Sequence, residues 1–250
     1  MPVPVAVATH TPPPPTSALA ARSGQWYAVA DGIEYTMLEA AAEGRREWMT
    51  VVRLRPHLVR FRVWYEPQKP LRVRQWQQRT GAVVVVNGGF FDERYRATAL
   101  VIADGVIFGR SYRGFGGMFA VRDDGTPSIV WLREQGYRAS PRIVQAVQGF
   151  PMLVQDGKAI KGFEDLGRQS RRTFVALDRQ GNVLLGVTYL AQWTLTDLAA
   201  YLARSSFDVQ QAVNLDGGGS SGLWLRSPFE GVSMDSLDPV PAVIAVTPIK

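Results

Sequence analysis

From Trp26 onward, short apolar runs alternate with turn residues, a pattern that predicts strands in the majority. LVRFRVWY, residues 58–65, sets Val59, Phe61, Val63 and Tyr65 on one face and Arg60 and Arg62 on the other, as a half-buried strand requires. AVVVVN, residues 82–87, has no polar face and reads as a central strand covered on both sides. Between them, PLRVRQWQQRTG (70–81) predicts a short helix closed by Gly81. Asp-Gly pairs interrupt the apolar runs at 100–109, 118–132 and 152–160, and each predicts a hairpin. RTFVALDRQGNVLLGVTYL (172–190) predicts a fourth, turning over Arg179–Gly181. TLTDLAAYLARSS (194–206) reads as a helix with Thr194 as N-cap and Leu195, Leu198, Ala199 and Leu202 on one stripe. The expected fold class is α+β: a strand-rich single domain over 23–250, with several β-hairpins, a buried central sheet and few helices.

The chain has 250 residues, 46% of them hydrophobic, enough for one sizeable core. Residues 1–22 hold TPPPPT and are expected to be a Pro-rich linker or stem outside the fold. They lack the basic start and unbroken apolar run of a signal peptide. Such a stem before a cysteine-free domain fits an extracellular or cell-surface bacterial protein, secreted or tethered. No stretch approaches the roughly 20 apolar residues of a membrane-spanning helix.

The net charge is +6, but the basic residues are scattered, so a mixed solvated surface is expected rather than nucleic-acid binding. Cysteine is absent, which removes disulfides, thiolate catalysis and Cys-ligated metals. The two histidines, His10 and His57, lie in the Pro-rich segment and in a Pro-flanked loop, so a Ser-His-Asp triad has no obvious base. Carboxylates, amides and hydroxyls remain for chemistry.

Two segments concentrate them. VVVVNGGFFDERY (83–95) and AVNLDGGGSSGLWL (212–225) each run from an apolar strand through Asn into glycines with a carboxylate nearby. Asn87, Asp92, Asn214 and Asp216 are therefore expected at strand ends, over a rigid core. DGGGSS offers successive backbone N–H groups, two hydroxyls and a carboxylate, a set suited to a phosphate or an oxyanion. It lacks the lysine and the long helix of a nucleotide-binding P-loop. Taken alone, it reads equally as a small-residue turn in which Asp216 satisfies local amides.

NGGFFD (87–92), RRTFVALDRQGNVLLGV (171–187), TLTDLAAYL (194–202) and NLDGGGSSGL (214–223), in this order, resemble the phosphodiester glycosidase family. The resemblance implies Asn87, Gly88, Gly89, Phe90, Phe91 and Asp92 in a first motif. It implies Arg172 and Thr173 in a second, and Asn214, Asp216, Gly217, Gly218, Gly219, Ser220 and Ser221 in a third. The chain departs from the family where Phe150 replaces the second glycine of a Gly-Gly-Pro, and where LDPVPAVIAV carries no arginine before the last strand.

The activity so implied is hydrolysis of a sugar-1-phosphodiester, with a glycan or sugar phosphate as partner. Asp216 and Asp92 are the expected catalytic carboxylates, oriented by Asn87 and Asn214. Arg172 is the expected phosphate clamp, since guanidinium meets phosphate in a bidentate way. Thr173, Gly88, Gly89 and the Gly217–Ser221 loop complete the substrate side. Trp193, Trp224 or Phe91 could stack on a sugar, although an aromatic in a strand usually belongs to the core. A divalent cation, calcium or magnesium, would suit the Asp-Asn-Asp oxygens. A non-catalytic carbohydrate-binding or structural envelope domain of the same fold is the alternative.

Overall fold

In the computed structural model, residues 23–112, 114, 116–135, 137–163, 167–227 and 232–249 are described; the Pro-rich segment 1–22 lies outside them. Three antiparallel sheets form the body of the fold. The largest has eight strands in the order β1 (Tyr27–Ala30), β2 (Ile33–Ala42), β3 (Arg45–Leu54), β14 (Val183–Thr188), β13 (Thr173–Asp178), β15 (Val209–Asn214), β11 (Met152–Gln155) and β12 (Lys158–Ala159). A five-stranded sheet runs β7 (Val106–Phe108), β6 (Val101–Ala103), β10 (Ile143–Gly149), β8 (Gly117–Arg122) and β9 (Pro127–Trp131). The third, of four strands, runs β16 (Leu223–Leu225), β5 (Val84–Asn87), β17 (Ala242–Pro248) and β4 (Val59–Tyr65). The four expected hairpins form as β6–β7, β8–β9, β11–β12 and β13–β14.

One apolar interior is built by all three sheets. Val52, Val175, Val187 and Val213 enter it from the eight-stranded sheet, Phe119 and Val147 from the five-stranded one, and Val84, Val86 and Ile244 from the four-stranded one. The two-residue period of a strand then sends alternate residues outward. Met49, Phe174, Ala176 and Leu184 face a second cluster, sealed by the helix Leu195–Arg204 through Leu198, Ala199 and Leu202. Val85 turns from Val84 and Val86 towards Trp76 of the helix Val73–Thr80, which explains why this strand shows no polar face.

The helices end as their sequences predict. Thr194 Oγ1 accepts from Asp197 N at 3.1 Å, and Asp197 returns a bond from Thr194 N at 2.9 Å. Such reciprocal capping contributes about 1 kcal/mol. Gly81 closes the shorter helix at φ 65°, where glycine avoids the Cβ clash.

Candidate active site

Strand directions bring both glycine motifs to one end of the interior. Asn87 ends β5, Asn214 ends β15, and Thr173 begins β13 beside it, with Leu215 N donating to Thr173 O at 2.9 Å. Asn87 is fully buried, and its amide ties the motifs together. Nδ2 donates to Asp216 O at 2.8 Å, while Oδ1 accepts from Thr173 Oγ1 at 2.9 Å and Gly222 N at 3.1 Å. Ser221 Oγ stands 3.1 Å from Thr173 Oγ1. Asp216 N completes the junction with a bond to Gly88 O at 3.2 Å. Asn87, Thr173, Asp216 and Ser221 are thus brought together, as expected.

Asp216 is the ionisable side chain of this cluster. Burial, together with the negative charge of Asp238, pushes its carboxyl up to about 6, against the opposing bonds from Ser220 and Gly217 N. Raised carboxyls of this kind mark groups poised for proton transfer or attack near neutral pH. Asp238 was not anticipated. It precedes the last strand, where LDP reads only as a turn, and it approaches across Gly219: a Cβ at 219 would lie 1.9 Å from Asp238 Oδ2. Glycine at 219 is what admits the second carboxylate.

Asp92 is placed differently. Its Oδ1 accepts from Arg94 N and Arg96 N, both at 2.9 Å, and Oδ2 accepts from Arg96 Nε at 2.9 Å. The backbone bond from Arg96 leads the causes that hold this carboxyl below its usual range. It shapes an exposed turn, and its charged neighbour is Arg96, whereas that of Asp216 is Asp238.

Arg172 also differs from expectation. Only 8% exposed, it directs Nε to Trp193 O at 3.3 Å and Nη2 to Arg168 O. Its guanidinium braces two backbone segments rather than facing solvent as a phosphate clamp. Glu47 supports the same region from beneath: fully buried, it accepts from Trp48, Tyr189, Leu190 and Gln192 amides at 2.6–3.2 Å. Burial pushes its carboxyl up against those four bonds, and nothing in the sequence singled it out.

The Gly217–Ser221 amides do not form an open cradle. Gly217 N donates to Asp216 Oδ1 at 2.9 Å, Gly218 N to Arg171 O at 2.9 Å, and Ser220 N and Ser221 N close a tight turn onto Gly217 O and Gly218 O. Gly88 and Gly89 serve close packing: a Cβ at 89 would stand 2.7 Å from Gln148 O.

Asn214 donates from Nδ2 to Phe150 O at 2.7 Å, and Phe150 N donates to Asn214 O at 2.9 Å. Asn214 Oδ1 is buried without a hydrogen-bond partner. Phe150 precedes a cis Pro151 and separates two clefts. One, about 410 Å³, is lined by Phe90, Phe91, Thr98, Tyr112 and Gln148, with no charged side chain among the described residues. The other, about 490 Å³, carries Trp131, Arg133, Lys161 and Phe163. Asp216 lines neither directly and reaches the first through Gly88, two residues before Phe90.

Of the aromatic residues, Phe91 remains at a cleft wall, stacked on Tyr95. Trp193 is fully buried, and Trp224 packs against the small cluster around Trp76. Of the oxygens proposed for a cation, Asn87 Oδ1 and those of Asp92 already accept hydrogen bonds. Among the described residues, no group of three His, Cys, Asp or Glu side chains is arranged to hold a metal.

Known proteins share sequence and fold with this chain. A family profile described as phosphodiester glycosidase matches residues 80–247. Bovine N-acetylglucosamine-1-phosphodiester alpha-N-acetylglucosaminidase is 29% identical over 188 residues, covering 65% of this chain and 35% of its own length. The uncharacterised Escherichia coli protein YigE is 28% identical over 172 residues, covering 62% of this chain and 65% of its own. The chain therefore spans about a third of the bovine relative's length. The zebrafish catalytic domain of the same-named enzyme, auto-inhibited by its pro-peptide, superposes with a TM-score of 0.68 at 19% identity, covering 88% of this chain and 85% of that one. A hypothetical protein from Synechocystis superposes with a TM-score of 0.60 at 16% identity, over 87% and 62%. At these identities the structural likeness speaks for the fold, and the sequence profile, over more than half the chain, for the family. The chain belongs to the phosphodiester glycosidase family.

Proposed function

We propose that the protein hydrolyses the bond between a sugar C1 and a phosphodiester oxygen. The observation that carries this reading is Asp216: a carboxyl raised to about 6 at the junction of the two glycine motifs, with Asp238 beside it. When the C1–O bond breaks, its electron pair leaves with the phosphate oxygen. The departing phosphate monoester is a stable anion, so it needs less acid assistance than an ordinary glycosidic oxygen. The positive charge developing at C1 is met by the ionised carboxylate of Asp216. That carboxylate captures C1 directly or takes the proton of the attacking water, and the configuration of the released sugar distinguishes the two routes. Asn87 positions Asp216 through its main-chain carbonyl, and Thr173, itself bonded to Ser221, positions Asn87. Asp92 and Arg172 shape the surrounding loops. A glycan of the bacterial cell envelope or the extracellular medium is the substrate setting we favour, since phosphodiester-linked sugars occur there.

The test is release of reducing sugar from a panel of glycosyl-1-phosphodiesters, comparing wild type with folded Asp216→Asn. Release by wild type and a drop of about a thousandfold in the variant are expected. Equal rates in both would remove Asp216 from the chemistry; glycan binding without product would favour a carbohydrate-binding domain.

A further inference from the structure

A phosphodiester glycoside has one uncharged half and one anionic half, and the two clefts beside Phe150 differ in the same way. The cleft lined by Phe90, Phe91 and Tyr112 carries no charged side chain among the described residues. Its neighbour places Arg133 and Lys161 among Trp131, Phe150, Pro151 and Phe163, with no carboxylate among the described lining residues. Neither cation takes part in an ion pair among the described residues, whereas the cations at 45, 46, 53, 62, 79, 96, 142, 179 and 204 are paired. With Arg172 committed to backbone carbonyls, the positive charge near this end of the molecule has to come from elsewhere.

We infer that the Arg133–Lys161 cleft receives the phosphate and its aglycone, while the sugar lies on the Phe90–Tyr112 side of Phe150. This rests on the phosphodiester glycosidase reading and gives the substrate a direction. The two cations follow strands of different sheets. Arg133 follows Trp131 at the end of β9, where Leu132 N is bonded to Gly116 O at 3.1 Å. Lys161 follows β12, where Ile160 N is bonded to Leu153 O at 2.8 Å. Strands of two different sheets thus flank the cleft. The wall between the clefts is fixed as well, because Asn214 bonds both the N–H and the C=O of Phe150. Trp131 and Phe163 offer apolar faces to whatever follows the phosphate.

The experiment compares wild type with the double variant Arg133→Gln/Lys161→Gln in two independent readouts. Calorimetric titration with inorganic phosphate and with glycerol 3-phosphate is expected to show salt-sensitive binding that weakens about tenfold or more in the variant. On any phosphodiester that turns over, kcat/KM should fall by a similar factor or more, because the charge on the phosphate grows as the C1–O bond breaks. Unchanged phosphate affinity in a variant with an unaltered melting temperature would overturn the inference, even if the enzyme is active. Loss of phosphate binding in the variant, with no turnover by wild type on any substrate, would support the cleft assignment while sinking the glycosidase reading.

Discussion

Asp216 ties stability to pH as well as to function. Its folded carboxyl is raised from 3.8 to about 6, so between those values the folded chain holds a proton that the unfolded chain has released. Stability contributed by this group therefore falls as pH rises through that window, and the full penalty is present above about 6. Asp216→Asn should stabilise the fold at pH 7.5 by on the order of 1 kcal/mol after allowance for its partial exposure, raising the melting temperature, and change little at pH 3.5. Thermal melts at the two pH values check this. In the active enzyme, kcat/KM should rise with pH through about 6, as Asp216 ionises. Asp238→Asn should move that limb to lower pH, because it removes the charge that helps hold Asp216 protonated. Gly219→Ala, which places a methyl where Asp238 Oδ2 stands, should move it the same way by displacing a flexible carboxylate rather than backbone. Asp92→Asn, by contrast, should leave turnover within a few-fold, as expected for an exposed turn residue. A profile unmoved by both Asp238→Asn and Gly219→Ala would remove Asp238 from the site.

At the scale of elements, the site is held by contacts between segments distant in sequence. Glu47, in β3, is the acceptor for four amides, three of them from residues 189–192, and that segment leads to Trp193, whose carbonyl receives Arg172. Glu47→Ala would leave buried amides without an acceptor, which costs about 3 kcal/mol or more. Chemical denaturation should show that loss, and Glu47→Gln, which keeps one acceptor oxygen, should lose less. The pairing of β13 with β14 sets another limit. A Cβ at Gly186 would stand 2.2 Å from the Phe174 ring, so Gly186→Ala should cost about 1–3 kcal/mol by overpacking.

For the whole molecule, the shared interior dictates cooperativity. Val175, Phe119 and Ile244 come from three different sheets yet meet in one cluster, so no sheet can leave without exposing the others. Calorimetry should show a single unfolding transition, with the van't Hoff and calorimetric enthalpies equal. Two resolved transitions would mean that a sheet folds independently.

Much of this architecture was legible in the chain because turns, caps and strand periods depend on neighbours within a few residues. Asp-Gly pairs marked hairpins, Thr194 and Asp197 marked a helix start, and VVVV marked a strand covered on both faces. The two asparagines at strand ends were legible for the same reason: each follows an apolar run and precedes glycines. The sequence by itself therefore determined the hairpins, the two helices and the strand of residues 84–87, and placed the motif asparagines at strand ends. Only the tertiary structure decided the order of strands in each sheet and the environment of each charge. Arg172 has a free guanidinium in any one-dimensional reading, and it is brought against Trp193 O and Arg168 O by packing. Asp92 and Asp216 look alike in sequence, but one meets Arg96 four residues away and the other meets Asp238 across a glycine. Burial and charge proximity are properties of distance in space, and a carboxyl's role follows from them rather than from the residues beside it in the chain.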